Sequence, residues 1–262
     1  MKKQIIAAAF ITVAMLAGCG GGGGSTAPTA TVAGKVADGY LVDAVVFMDK
    51  NGNYTLDAGE PNTVTDANGG YTLTVDPADI GKYPIVALAI AGTTIDMDTK
   101  THVLRSYPLS LPKESVTGTV SSDSNFLSPI STQLRELMES GTSMPDAMAQ
   151  LRTRLSAGTN IMADYIASQN EPMHTAARNM AALMGAQSNL MFRNYSGTDH
   201  LDVTRYRNMM GAMFSNMSTV RNGMPLPQMA TNISNIPAGL PYQNTSPFMN
   251  GMTWGKSMMG GK

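Results

Sequence analysis

The spacing of apolar residues along this chain changes near residue 125. Before that point, short runs rich in β-branched residues alternate with clusters of glycine, aspartate and asparagine, a pattern that favours antiparallel strands over βαβ units. The predicted strands are Val32–Val36, Ala44–Met48, Thr63–Thr65, Tyr71–Val75 and Ile85–Ile90, with one or two more between Thr101 and Leu111. A hairpin turn is predicted at Asp66–Gly70, because Asn-Gly and Gly-Gly accept positive φ. We therefore predict an Ig-like antiparallel β-sandwich over residues 31–122.

After residue 125 the apolar residues recur at helical spacing. Ser128-Pro129 predicts a helix start, with serine as the N-cap and proline in the first turn, and Gly141 predicts the end of that helix. A second helix from about Met144 to Ala157 is predicted to begin at a Ser143 cap and to close at Gly158. The chain is therefore predicted to belong to the α+β class, with a helical domain over residues 125–223.

Methionine dominates this second half, since 18 of the 22 methionines fall from Met138 onward. One predicted helix face is formed by Met173, Met180, Met184 and Met191. A last helix, from about Asp199 to Val220 and ending before Gly223, is predicted to place Tyr206, Met210, Met213 and Met217 on one side. Residues 224–262 are rich in proline, glycine and methionine without a period, and we predict that this tail is extended or partly disordered.

The amino terminus carries the pattern of a targeting signal. Lys2 and Lys3 precede an apolar run, Ile5–Leu16, which is too short to cross a bilayer but suits a cleaved signal. The run ends in Leu16-Ala17-Gly18-Cys19, which contains the single cysteine of the chain and closely resembles the lipobox of bacterial lipoproteins. This resemblance implies a signal peptide over residues 1–18, and acylation of Cys19 as the new amino terminus. The alternative is an ordinary secretory signal with an incidental cysteine.

Residues 19–30 are predicted to form a flexible linker between the anchor and the folded part, because glycine and then Ser/Thr/Pro dominate there. Gly20 follows the cysteine where an aspartate would suggest inner-membrane retention, so the resemblance implies the outer membrane, on its periplasmic or surface face. Charged residues make up 14 % of the chain and the net charge is −1, which gives no electrostatic footprint for nucleic acid or anionic lipid. The acyl chains would then be the membrane contact.

One loop has the spacing of a calcium-binding loop. Residues 49–60 place oxygen-bearing residues at positions 1, 3, 5, 7, 9 and 12 of twelve. The predicted ligands are Asp49, Asn51, Asn53, Thr55 through its carbonyl, Asp57 and Glu60. With three carboxylates, the loop is expected to bind calcium weakly, with a dissociation constant on the order of 10⁻⁴–10⁻³ M. The alternative is a surface turn held by its own Asx hydrogen bonds.

Three features separate this loop from an EF-hand: Tyr54 occupies position 6, where the EF-hand requires glycine, Pro61 follows at once, and a predicted strand precedes. The stretch from Gly34 to Leu73, with DKNGNYTLDAGEP and TDANGGYTL, resembles the SdrD B-like and carboxypeptidase-regulatory-like modules of secreted bacterial proteins. The resemblance implies a calcium-stabilised β-sandwich module. Asp96 and Asp98 are a weaker candidate for a second calcium site or for completing the first.

The methionine-rich half allows a second interpretation, because thioether sulfur is a soft ligand that suits Cu(I). Met173, His174, Met180 and Met184 are the candidate copper ligands. Structural packing of these methionines and a methionine-rich partner surface are the alternatives. No catalytic motif is present in the sequence, so we predict a non-enzymatic binding or assembly module with a protein partner in the cell envelope. A copper-handling lipoprotein is the alternative function.

Overall fold

We analysed the protein as a computed structural model. The structure describes residues 28–118, 124–158, 160–192, 200–223, 227–228 and 230–231. The predicted signal peptide, Cys19, most of the predicted linker and most of the predicted tail lie outside the described residues, so those assignments stay predictions.

Nine short strands occupy the first part of the described chain. They are β1 (Ala30–Lys35), β2 (Leu41–Val42), β3 (Val45–Met48), β4 (Asn62–Val64), β5 (Gly70–Val75), β6 (Ile85–Ala89), β7 (Ile95–Asp96), β8 (Thr101–His102) and β9 (Tyr107–Leu111). Each predicted strand corresponds to an observed strand within about two residues. All strand pairs are antiparallel, in the orders β1-β5, β2-β7-β8 and β4-β3-β6-β9. Strands β6 and β9 are buried along their whole length, and β9 also contacts α1 and α3.

The turn predicted at Asp66–Gly70 forms, but the flanking strands do not pair with each other. The Gly69 N–H donates to the Asp66 carbonyl at 3.0 Å, and Gly69 has a φ of 71°. β4 pairs with β3, whereas β5 pairs with β1 through six registered residues. The prediction of a simple hairpin was therefore wrong. The turn carries the chain from one sheet to another, since β5 finds its longer partner in β1.

Six α-helices follow in the described residues, and the α+β class is confirmed. They are α1 (Pro129–Glu139), α2 (Met144–Leu155), α3 (Glu171–Ala186), α4 (Ser188–Met191), α5 (Val203–Ser215) and α6 (Met217–Arg221). Ser128 caps α1 and Ser143 caps α2, as predicted.

Four helix boundaries differ from the sequence prediction. The last helix begins at Val203, after an Asp202 cap, and not at about Asp199. The residue with left-handed φ after α2 is Ser156, not Gly158. The predicted last helix is split at Asn216, whose side chain donates to the Ala212 carbonyl and so competes with the regular helical bonds. Met191 lies in α4, beyond the end of the helix that holds the other three methionines of its predicted face.

The helices continue the core of the strands. Helix α1 lies against β9, where the Ser110 N–H donates to Thr132 Oγ1 at 2.8 Å and the Ser131 hydroxyl donates to the Ser110 carbonyl at 2.7 Å. One hydrophobic cluster includes residues of both halves, from Val32 to Val220. The loop that enters α1 is fixed by Asn125, whose amide nitrogen donates to the Ala33 carbonyl at 2.8 Å. The amino-terminal end of the first helix is thus locked to the strands.

Candidate functional site

The predicted calcium loop lies between two paired strands. The Met48 N–H donates to the Pro61 carbonyl at 3.0 Å and closes the base of the loop. Strand β3 precedes the loop and β4 follows it, so the loop is not flanked by helices. Leu56 is half-buried against the hydrophobic core and anchors the middle of the loop.

Asp49, at position 1, is fully buried and organises the first half of the loop. Its Oδ1 accepts hydrogen bonds from the N–H groups of Gly52 at 2.8 Å and Asn53 at 3.1 Å. Its Oδ2 accepts from the Tyr54 N–H at 3.2 Å and from Arg135 Nη2 at 3.3 Å. Both oxygens of this carboxylate are therefore engaged within the protein.

Positions 3, 5 and 9 meet on the exposed side of the loop. The side-chain amide nitrogens of Asn51 and Asn53 both donate to Asp57 Oδ2, at 2.7 and 2.8 Å. An amide that rotates by half a turn exchanges its nitrogen for its oxygen. The amide oxygens of Asn51 and Asn53 now accept from the N–H groups of Asn53 at 3.1 Å and Thr55 at 2.8 Å. Presenting these oxygens to a cation beside the Asp57 carboxylate therefore requires that the two Asx hydrogen bonds break.

The last predicted ligands are held by the backbone of the loop. Glu60 is buried, and its Oε1 and Oε2 accept from the N–H groups of Lys50 at 2.7 Å and Asp57 at 3.0 Å. Burial raises the pKa of Glu60. The hydroxyl oxygen of Thr55 is buried without a hydrogen-bond partner among the described residues. Glu60 therefore closes the loop through its backbone contacts.

The six predicted ligands fit calcium in chemistry and only partly in position. All supply hard oxygens, which calcium prefers. Within the described parts of the chain, no three Asp, Glu, His or Cys side chains are grouped as a metal site. Asn51, Asn53 and Asp57 converge, whereas Asp49 and Glu60 point to backbone N–H groups. The Asx hydrogen bonds of the alternative interpretation are present, and calcium binding stays a prediction.

Tyr54 replaces the expected glycine and faces the core. Its φ is 62°, the left-handed conformation that glycine adopts without cost. The ring lies 4.0 Å from the Arg135 guanidinium carbon and 5.1 Å from the ring of Tyr206. The hydroxyl donates a hydrogen bond to Glu136 Oε1, and burial raises the pKa of Tyr54 well above its usual value. Tyr54, which stands where the EF-hand loop has glycine, thus anchors the 49–60 loop to the helices.

A buried charged network lies beneath the loop and was not predicted from the sequence. Arg135 is 2 % exposed and Glu136 is 1 % exposed, although both are charged residue types. Arg207 Nε lies 3.4 Å from Glu136 Oε2, and Arg207 Nη2 lies 3.4 Å from Glu139 Oε2. The first of these contacts is an ion pair without hydrogen-bond alignment. In the sequence, Arg135 and Glu136 look like the solvated face of an amphipathic helix.

A second polar cluster joins the β7–β8 turn to α3. His174 Nε2 lies 2.7 Å from Asp98 Oδ2, at ion-pair distance but without hydrogen-bond alignment. Asp38 is buried beside this turn, and its Oδ2 accepts from the Tyr107 hydroxyl at 2.8 Å. Burial and the charge of Asp96 raise the pKa of Asp38 to about 7. Asp98 contacts α3 and Asp96 faces Asp38, and neither contacts the 49–60 loop, all of which the structure describes. These two residues therefore do not complete the predicted calcium site of that loop.

The candidate copper ligands separate into two environments. Met173, Met180 and Met184 are buried in the hydrophobic core on α3, where methionine fills space between the helices. His174 is half-buried and its ring stacks on Tyr165 at 5.6 Å. Nothing in these contacts favours copper over packing, and the copper alternative stays a prediction.

Comparison with known proteins does not assign the site. No protein-family model, no characterised protein and no solved structure matches this chain. The resemblances to the lipobox and to SdrD B-like modules therefore rest on the residues that carry them. In the part of the chain that the structure describes, no helix is long and apolar enough to cross a membrane.

Proposed function

We propose that this chain is a lipid-anchored, non-catalytic binding or assembly module of the bacterial cell envelope, and that calcium stiffens its β part at the 49–60 loop. The observation that carries the proposal is the convergence of Asn51 and Asn53 on Asp57 at an exposed point of a loop that is otherwise held rigidly. A preorganised loop loses little conformational freedom when it binds a cation. The anchor rests on the sequence around Cys19, and the outer membrane is its proposed location.

The described geometry supports a scaffold more than a catalyst. Asp49 pairs with Arg135 and Glu136 accepts from the Tyr54 hydroxyl, and these buried contacts fix the loop on the helices. Rigid loops on a β-rich scaffold are a common means of presenting a binding surface. A protein partner in the envelope is therefore the proposed ligand of the module, and its capture is expected to depend on calcium.

Calcium is expected to raise the melting temperature of the mature chain carrying Cys19→Ser by a few degrees at 10 mM. Ten millimolar is about ten to one hundred times the expected dissociation constant, which corresponds to about 1.4–2.7 kcal/mol of stabilisation. Asp57→Asn is expected to abolish the shift, because it removes the carboxylate on which the exposed ligands converge. Calorimetric melting with and without a chelator measures both effects.

Asp66→Asn is the matched control, since Asp66 accepts hydrogen bonds in an exposed turn outside the loop. It should retain the full calcium response. An unchanged melting temperature of the native sequence at 10 mM calcium would contradict calcium binding.

Cys19→Ser is expected to abolish incorporation of labelled palmitate and to move the full-length protein from the membrane fraction to the soluble fraction. The serine hydroxyl cannot form the thioether on which the lipid depends, and the sequence has no polybasic stretch that would bind anionic lipid. Fractionation of cells expressing both forms measures the change. Incorporation of palmitate by the serine variant would refute the anchor without bearing on the calcium loop.

A further inference from the structure

Arg135 contacts the first ligand of the loop from inside the fold. Its Nη2 lies 3.3 Å from Asp49 Oδ2, and the two side chains are 2 % and 0 % exposed. The guanidinium also stacks over Tyr54, which follows in the same loop. A single buried cation thus touches the loop at positions 1 and 6.

The buried Asp49 carboxylate requires a positive partner, because an ionised group away from water is unfavourable unless it is paired. Arg135 supplies that charge. Glu139 Oε1 lies 3.8 Å from Arg135 Nε, and neither Nε nor Nη1 of Arg135 donates a hydrogen bond to the described residues. The guanidinium is therefore held by charge and stacking, with its one hydrogen bond directed at the loop.

We propose that Arg135 is the built-in cation of the 49–60 loop and that it sets the affinity of this loop for calcium. The inference rests on the proposed calcium binding of the same loop and names how that binding is regulated. A calcium ion that takes Asp49 as its first ligand shares this buried carboxylate with the Arg135 guanidinium, and two like charges on one buried carboxylate repel each other. Ligand charge tunes the affinity of calcium loops, and Arg135 cancels one of the three carboxylates.

Replacement of Arg135 by Met is the direct test, in the mature chain carrying Cys19→Ser. Methionine preserves much of the side-chain volume and removes the charge. The calcium dissociation constant measured by titration calorimetry is expected to fall at least tenfold, and the calcium-induced rise in melting temperature is expected to exceed that of the native sequence. Without calcium the variant should melt earlier, because Asp49 is left buried and unpaired.

Two controls isolate the charge at Asp49. Arg207→Met removes an arginine of the same network that contacts Glu136 and Glu139 rather than the loop, so calcium affinity should not change. The double variant Asp49→Asn with Arg135→Met removes both partners and should fold without the gain in affinity. If Arg135→Met stays unfolded even in 10 mM calcium while the double variant folds, calcium does not replace the guanidinium and the proposal is overturned.

The proposal and the function on which it rests fail in different ways. If the Arg135→Met variant binds calcium and the native sequence does not, the role of Arg135 is upheld, and calcium binding is not part of the function of the native protein. Equal affinity of the two proteins would uphold calcium binding and remove the role of Arg135. Absence of binding by both would overturn both.

Discussion

Replacement of Tyr54 by Gly is expected to lower the free energy of unfolding by about 1–4 kcal/mol, although glycine is the residue that an EF-hand loop requires at this position. Glycine relieves the φ of 62°, a gain of about 1–2 kcal/mol. Loss of a large buried ring costs about 3–5 kcal/mol. Packing of Tyr54 against Arg135 and Tyr206 therefore outweighs the strained backbone. Chemical denaturation of the two proteins measures the difference.

Lys100→Gly is the matched control, because Lys100 has a φ of 56° and an exposed side chain. The free energy of unfolding of Lys100→Gly should change by less than about 1 kcal/mol. Glycine removes the strain of the positive φ, which stabilises the folded chain, but it also gives the unfolded chain more conformational freedom, which destabilises the fold. Tyr54→Phe retains the ring and should lose less than Tyr54→Gly, through the hydrogen bond to Glu136 alone. A glycine variant as stable as the native protein would show that the ring contributes little to anchoring the loop.

Asp38→Asn is expected to stabilise the protein at pH 8 and to leave it nearly unchanged at pH 4. The pKa of Asp38 is raised from 3.8 to about 7, because the carboxyl is buried and faces Asp96 and Asp98. A difference of about three pKa units corresponds to roughly 4 kcal/mol. Asparagine has no charge to lose, and its side-chain oxygen can still accept from the Tyr107 hydroxyl.

The stability contribution of Asp38 depends on pH because the folded chain keeps the proton of this carboxyl to a higher pH than the unfolded chain does. Below pH about 4, Asp38 is protonated in both the folded and the unfolded chain. Between the unfolded pKa of 3.8 and the folded pKa of about 7, only the folded chain keeps this proton, so stability falls as the pH rises through this window. Above pH about 7 both states are ionised, and the contribution of this group no longer changes.

Denaturation curves at several pH values between 4 and 8 measure the predicted difference between the native sequence and Asp38→Asn. Asp43→Asn serves as the control, since Asp43 is exposed and its φ of 58° suits asparagine. This control should follow the pH profile of the native protein. A stability difference between native and Asp38→Asn proteins that does not change with pH would refute the assignment of the raised pKa to Asp38.

The local structure of this protein was largely predictable. The β-branched runs produced strands at the expected places, and Ser128 with Pro129 began α1, because these signals act within a few residues. Errors occurred where a long-range partner decided the outcome. The turn at Asp66–Gly70 forms as expected, yet β5 pairs with β1 rather than β4, since pairing depends on which distant strand offers the longer register.

The candidate site was predictable in part. The spacing of residues 49–60 located the loop and the convergence of its exposed ligands, but it gave no indication that Asp49 is buried against Arg135. The two residues are 86 positions apart in the chain. No periodic or local pattern reports a contact over that separation, and a charged residue in an amphipathic helix is normally solvated.

The sequence by itself determined the α+β order of the chain, the ends of its first helices and the position of the loop, because propensity, capping and turn chemistry are local. It also supplies the prediction of a lipidated Cys19. Only the tertiary structure decided that Tyr54 points inward despite its positive φ, and that Arg135 and Glu136 are buried beneath the loop. Burial of a charge is a property of the surrounding packing, and that packing exists only when distant segments come together.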